Sequence, residues 1–161
     1  MIDIRLTHTA DIPDLQDVLR ATGLFPPEYL PDMLAGQVSG TERETVWLTG
    51  LMRGRAIGFC MAAPETLTDG TWNMLALAVH PDVQGRGLGG AIVARLEAVL
   101  RDRGGRLLIA DTSGSDGFAA TRAFYRRQGY EEEARIRDFW AAGDDKVVFR
   151  KALTPVTPQA E

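Results

Sequence analysis

Gln84-Gly85-Arg86-Gly87-Leu88-Gly89-Gly90 is a glycine-rich turn placed where one sequence periodicity gives way to another. Upstream, residues 72–79 read Trp-Asn-Met-Leu-Ala-Leu-Ala-Val, a long apolar run of strand type that suits the middle of a sheet. Downstream, from Leu88, the apolar residues Ile92, Val93, Leu96, Val99 and Leu100 recur at helical spacing until Arg103-Gly104-Gly105 stops them. Strand, glycine turn and helix in succession gather backbone N–H groups into one concavity at the positive end of a helix dipole. Such a concavity suits an anion, above all a phosphate.

Working outward toward the N-terminus, residues 46–51 and 56–63 read as strands joined through Arg53-Gly54, a hairpin, and residues 64–70 as a loop. Residues 2–7 alternate apolar and polar and read as a first strand. Thr9 or Asp11 is placed to cap a helix with Pro13 in its first turn, Leu15, Val18 and Leu19 inward and Gly23 at its end. Phe25-Pro26-Pro27 breaks the chain, and residues 28–38 read as a second short helix. Toward the C-terminus, residues 107–110 form a short apolar strand and residues 112–117 a polar turn. Residues 118–128 form a helix stopped by Gly129. Residues 130–135 and 146–153 read as two last strands around a loop at 141–145. The expectation is one α/β domain over residues 1–153, a mixed sheet flanked by helices in the order β-α-α-β-β-β-α-β-α-β-β, with a flexible tail at 154–161.

Composition narrows the class. In 161 residues, 45% are hydrophobic and 25% charged, as in an ordinary globular protein with a core of its own. The formal net charge is -4 and no basic face stands out, which disfavours nucleic acid as a partner. No apolar run approaches the roughly 20 residues of a membrane span, and the N-terminus lacks a signal-peptide core. A single cysteine makes no disulfide framework, so a cytoplasmic location is expected. Cys60 reads as a small buried hydrophobe; with His8 and His80 it does not make a metal set, and no metal is expected.

Three phosphate-binding signatures compete for the glycine turn. No Gly-Lys-Ser/Thr follows it, which excludes a Walker loop. Gly85, Gly87 and Gly90 satisfy G-x-G-x-x-G, but His80-Pro81-Asp82-Val83-Gln84 separates them from the strand, and a meander rather than a βαβ run precedes them. Leu77-Ala78-Val79-His80-Pro81 followed by Gln84-Gly85-Arg86-Gly87-Leu88-Gly89 resembles instead the signature of the GCN5-related N-acetyltransferases, the GNAT superfamily: Gln/Arg-x-x-Gly-x-Gly/Ala just after a strand ending in Val-x-Pro. Phe124-Tyr125, then Gly129-Tyr130, resembles that family's second landmark, on the following helix. With the element order, the resemblance covers essentially the whole chain and implies a splayed sheet.

The resemblance implies acetyl-CoA as donor. Backbone N–H groups from Gly85 through Gly90 (Gly85, Arg86, Gly87, Leu88, Gly89, Gly90) would hold the pyrophosphate. Leu77, Ala78 and Val79 would pair through their backbone with the pantetheine arm, and one N–H there would meet the thioester oxygen, where negative charge grows as an amine attacks. The Arg86 side chain either adds charge for a phosphate or is simply solvated. Tyr125 matches the tyrosine that points at the CoA sulfur; with a free tyrosine near pKa 10 and a thiol near 8.5, full proton transfer is uphill by roughly 2 kcal/mol, so hydrogen bonding to developing charge on sulfur or a lowered pKa is required. Its competing reading is a core tyrosine.

Deprotonating a lysine-like amine at neutral pH costs roughly 4–5 kcal/mol and an α-amine about 1 kcal/mol, so a base matters most for the former. Many relatives carry a glutamate on the strand before the loop; here Met74-Leu75-Ala76-Leu77 supplies none. Asp111, at the end of the next strand, is the candidate base through water. Its competing readings are a turn or cap residue before Thr112-Ser113, and an acceptor that arrives neutral and needs no base. Phe118 stands where many relatives have asparagine. Thr121 and Arg122 are placed to contact the pantetheine or the adenosine phosphates, or else to cap and solvate their helix. Phe139-Trp140 and Phe25 to Leu30 are candidates for the acceptor pocket, and Glu28, Asp138, Asp144 and Asp145 suggest a cationic amine. The function implied is N-acetylation of a small-molecule or peptide amine, with a non-catalytic acyl-CoA-binding module as the alternative. Homodimers are frequent in the family, and nothing in the sequence decides for or against one.

Overall fold

The computed structural model describes residues 1–153, so the tail expected at 154–161 lies outside the described residues. The elements run β1 (Ile2–Leu6), α1 (Ile12–Thr22), α2 (Leu30–Ser39), β2 (Val46–Met52), β3 (Arg55–Pro64), β4 (Thr71–Val79), α3 (Leu88–Asp102), β5 (Leu107–Ser113), α4 (Ala119–Arg127), β6 (Glu131–Ala141) and β7 (Asp144–Ala152). This is the mixed α/β order that the spacing implies, with short 3-10 turns added at Thr9–Asp11, Pro27–Tyr29, Pro81–Val83 and Asp116–Phe118. By compactness the chain divides into two units: Met1–Pro64 with Met74–Ala98, and Glu65–Asn73 with the chain from Val99 onward.

In the first unit the strands lie in the order β1-β2-β3-β4. β1 and β2 are antiparallel, Ile2 opposite Met52 and Leu6 opposite Leu48. β2 and β3 form the expected hairpin. Arg53 and Gly54 both take left-handed backbone, φ 53° and 77°, the pairing that a two-residue turn needs to match strand twist. On one side of these strands lie Leu15, Val18 and Leu19 of α1 and Leu30 and Leu34 of α2, clustered with Trp47, Ala56, Phe59, Ala76 and Ala78. Trp47 stacks on Phe59 at 5.9 Å between ring centroids, and Phe25 meets Phe59 edge-on at 6.2 Å. Against the strands also lies α3: a Cβ on Gly50 would stand 3.0 Å from both Ile92 and Leu88, and one on Gly58 would stand 2.9 Å from the Ala78 carbonyl oxygen. Those two glycines leave the room that the helix and the neighbouring strand occupy.

The second helix begins at Leu30 rather than at 28, because Pro27–Tyr29 forms a 3-10 turn and Pro31 sets φ for the first α-helical turn. The Asp11 cap also differs from expectation. Asp11 holds the N-cap position of α1, but its carboxylate makes no cap bond there. It accepts the His8 N–H at 2.8 Å and both Nη groups of Arg5 at 2.7 and 2.8 Å. Burial opposes its ionisation, yet the Arg5 guanidinium and the His8 N–H outweigh that and hold the carboxyl below its usual range. A carboxylate depressed in the folded state contributes stability that is complete above about pH 5 and is lost as pH falls through the folded value. Asp11→Asn is therefore expected to cost about 1–2 kcal/mol at pH 7. Urea melts at pH 7 and pH 3 should show its gap from the wild type shrinking at the lower pH.

In the second unit the strand order is β5-β7-β6. β5 and β7 are antiparallel, Leu107 opposite Ala152 and Ser113 opposite Lys146. The fifth strand is longer than its apolar run. Thr112 and Ser113, expected in a turn, pair with Val147 and Lys146, and both are buried. The sixth strand is longer too, reaching Ala141, and the loop expected at 141–145 shrinks to Ala142-Gly143. Register shifts after Glu132 and Ile136, with Asp138 at φ 55°, interrupt the alternation by which a strand is read. The helix expected at 118–128 occupies Ala119–Arg127, its first residues taken by the 3-10 turn, and Gly129 at φ 89° turns the chain away from it.

Candidate active site

At the C-terminal end of β4, the His80 N–H donates to the Ile57 carbonyl at 2.8 Å, tying the start of the glycine turn to β3. The Pro81–Val83 turn follows, and the Gln84 side-chain amide folds back to donate to the Val79 carbonyl at 3.0 Å. Gln84 thus braces the turn from within. Gly85 and Gly87 both take left-handed backbone, φ 79° and 86°, and a Cβ on either would meet nothing. Glycine is needed at both for conformation, and the space beside them is open. Leu88, 1% exposed, anchors the first turn of α3. The N–H groups of Leu88, Gly89 and Gly90 have no acceptor within an α-helix that starts at Leu88. Leu77 and Val79 are half-buried, Ala78 is buried and Arg86 is exposed. The turn thus presents backbone N–H groups to open space, with the exposed Arg86 between its two left-handed glycines.

In the second unit Tyr125 is buried on α4. Its ring lies 5.3 Å from Phe149, 5.5 Å from Phe124 and 5.8 Å from Tyr130, centroid to centroid. Asp111 lies within β5, opposite Val148, so its reading as a turn or cap residue is corrected: the strand continues two residues past it. Its Oδ2 forms an ion pair with the Lys146 ammonium at 3.3 Å, while its Oδ1 is buried with no hydrogen-bond partner. A buried carboxylate oxygen without a donor is costly unless a water or ligand supplies one. Lys146 also sits 4.4 Å above the Phe139 ring. Nothing in the sequence pairs Lys146 with Asp111; that needs the β5–β7 register.

Other expectations resolve differently. Arg122 is committed to the chain itself: its Nη1 donates to the Ser113 and Ser115 carbonyls at 2.8 and 2.7 Å, pinning α4 to the end of β5. Thr121 stands half-buried on α4, and Phe118 is 47% exposed. The acidic residues of the last hairpin hold the hairpin together. Asp138 Oδ1 accepts the Gly143 N–H at 2.8 Å, and Asp145 Oδ1 accepts the Asp138 N–H at 3.1 Å. Asp145 Oδ2 pairs with Arg135 at 3.2 Å, and Asp144 accepts the Ser113 hydroxyl. The Asp138 N–H and the Arg135 guanidinium keep the Asp145 carboxyl below its usual range. These three acids are therefore occupied, and they do not amount to an open acidic surface for a cationic amine. Trp140 donates its indole N–H to the Thr112 carbonyl at 3.2 Å. Complete burial pushes the Cys60 thiol up to about 12, which removes it as a nucleophile at neutral pH. Among the described residues no group of three or more His, Cys, Asp and Glu could hold a metal ion, and no helix is long and apolar enough to cross a membrane.

Residues 42–132 match the family model of the acetyltransferase (GNAT) domain, a span that holds β2 through α4 and the glycine turn. A solved GNAT-family protein from Desulfovibrio desulfuricans is 31% identical, over 96% of this chain and 100% of that one, with a TM-score of 0.85. The chain belongs to the GNAT family and is an enzyme of the N-acetyltransferase class. The fold is shared at lower identity. The Escherichia coli ribosomal-protein-S18-alanine N-acetyltransferase is 20% identical, covering 100% and 99% of the two chains at a TM-score of 0.78. An aminoglycoside 6'-N-acetyltransferase solved with coenzyme A is 19% identical, covering 96% and 99% at a TM-score of 0.77. No curated protein matches the chain.

Proposed function

We propose that the chain moves an acetyl group from acetyl-CoA to a primary amine of a small molecule or peptide, by direct attack while both substrates are bound. The observation that carries this reading is the glycine turn of a GNAT chain: Gly85 and Gly87 left-handed, open space beside them and helical N–H groups without helical acceptors. Acetyl-CoA supplies the acyl group as a thioester. The N–H groups from Gly85 through Gly90 receive the pyrophosphate, with Arg86 beside it. The backbone of Leu77, Ala78 and Val79 receives the pantetheine arm, and Thr121 lies among its contacts.

The amine nitrogen attacks the thioester carbon, the C–S bond breaks and the thiolate leaves. Tyr125 donates a hydrogen bond to that sulfur as charge develops on it, a bond strengthened by the apolar rings around the phenol. The proton lost by the amine goes to Asp111 through water, received at Oδ1, the oxygen that Lys146 leaves open. The solved relatives named for an alanine of a ribosomal protein and for an aminoglycoside amine support an amine acceptor and leave peptide and small molecule both open. The single buried cysteine fits a cytoplasmic enzyme.

The experiment is release of free thiol from acetyl-CoA against a panel of amines, with thermal stabilisation by CoA measured beside it. Stabilisation with turnover on one amine class supports the reading and names the acceptor. No stabilisation by CoA sinks it. A sharper test is Gly87→Ala. Alanine at φ 86° costs about 1–2 kcal/mol of backbone strain, and relieving that strain moves the N–H groups. The expected outcome is a CoA Kd raised about tenfold or more by calorimetry, with the chain still folded.

A further inference from the structure

In the β5–β7–β6 part of the sheet, Asp111 stands opposite Val148, and Lys146 stands opposite Ser113. Asp111 and Lys146 are therefore a diagonal pair on one face of the two strands. Val147 and Phe149 point to the other face, where both are fully buried and Phe149 meets the Tyr125 ring. Among the described residues, Lys146 is the one ion-pair partner that Asp111 has, at 3.3 Å from Oδ2. The two side chains are only 20% and 17% exposed, so this pair is not a solvated surface contact.

An aspartate carboxylate turns about a broad, two-fold torsion, and nothing in its own short side chain decides which oxygen points where. Left to itself it would turn to give both oxygens a donor, because a buried oxygen without one is costly. Asp111 does not do this: Oδ2 is held by Lys146, and Oδ1 stays buried with no hydrogen-bond partner. Lysine has a long, flexible stem and is a poor clamp unless its head is fixed. Here the head is fixed, since the ammonium also lies 4.4 Å above the Phe139 ring, and β6 brings Ile136 opposite Lys146. We propose that Lys146 is a positioning residue: seated on Phe139, it holds Asp111 by Oδ2 and so keeps Oδ1 for the water that carries the proton off the acceptor amine. The proposal rests on the function proposed above, in which Asp111 is the base. The amine proton passes to that water, a proton of the water passes to Oδ1, and no proton moves to or from Lys146.

The test compares the wild type, K146M, D111N and K146M/D111N. Methionine keeps an unbranched stem, and K146Q replaces it should K146M not fold. The first readout needs no acceptor. Crystal structures of the wild type and K146M are expected to show the Asp111 carboxylate turned in the variant, with Oδ1 on a new donor; an unchanged carboxylate overturns the proposal. The second readout is thiol release with n-butylamine, a lysine-like acceptor, and with alaninamide, an α-amine. With n-butylamine, kcat is expected to fall tenfold or more in K146M, with KM for acetyl-CoA within twofold. K146M/D111N is expected to be no slower than D111N, because a positioning residue has nothing to act on once the base is gone. The loss with alaninamide is expected to be smaller, since an α-amine gives up its proton more readily. An unchanged kcat in K146M, the same further loss on the D111N background, or equal losses with both amines overturns the proposal, the last two because they mark a merely structural role. A slow D111N beside a wild-type K146M removes Lys146 alone. A D111N with wild-type kcat removes the base, and with it any catalytic role for Lys146. Should the wild type turn over neither amine, the crystal structures alone decide whether Lys146 holds Asp111.

Discussion

Tyr125→Phe is expected to lower kcat by about 100-fold while leaving the affinity for CoA within about twofold. The substitution removes one oxygen from a ring held by Phe124, Tyr130 and Phe149, so the aromatic cluster stays filled. Under the proposed reaction, what goes is the donor to the departing sulfur. A proton or hydrogen bond delivered to a group only as it becomes charged favours the transition state over the bound substrate, so the loss falls on kcat and not on binding. A core tyrosine with no chemical role predicts the opposite pattern: a small fall in stability and an unchanged kcat. Steady-state kinetics varying each substrate in turn, beside a urea melt, separate the two. An unchanged kcat with a lowered melt would return Tyr125 to the core and leave the leaving thiolate to solvent.

Elements whose ends are marked locally were legible in the sequence. Gly23, Gly129 and Arg53-Gly54 read as stops and turns, and each takes the left-handed backbone that makes it readable. The glycine turn was legible for the same reason, since the need for positive φ at Gly85 and Gly87 is written in the residues themselves. What could not be read depends on partners distant along the chain. Thr112 and Ser113 look like a turn because they are small and polar. They lie in a strand because β7 pairs with them and the Ser113 hydroxyl reaches Asp144. Asp138, Asp144 and Asp145 look like a solvated acidic loop until each is seen bonded within the hairpin or to Ser113. Arg122 looks like a phosphate ligand until the Ser113 and Ser115 carbonyls claim it. Polar residues advertise their chemistry in sequence but not their commitments, so candidate sites drawn from charge alone are reduced by the fold, whereas those drawn from glycine conformation persist.

The largest loss of stability is expected from Phe59→Ala, at about 3–5 kcal/mol. Phe59 is fully buried, stacked on Trp47 and met edge-on by Phe25, with α1 and α2 residues in the same cluster. Truncation removes a whole ring from water-excluded surroundings, and two large aromatics with restricted rotamers are poorly able to close the void. For a domain whose total stability is about 5–15 kcal/mol, this is a third or more of the whole at the lower end. Phe118→Ala is the matched contrast: the same side chain, 47% exposed, with an expected cost under about 1 kcal/mol. Urea denaturation of both variants decides the point, with the m-value checked so that a change in midpoint is read as stability. A cost at Phe59 near that at Phe118 would mean that the cluster around Trp47 repacks freely, and the position of α1 and α2 on the strands would then rest on the remaining leucines.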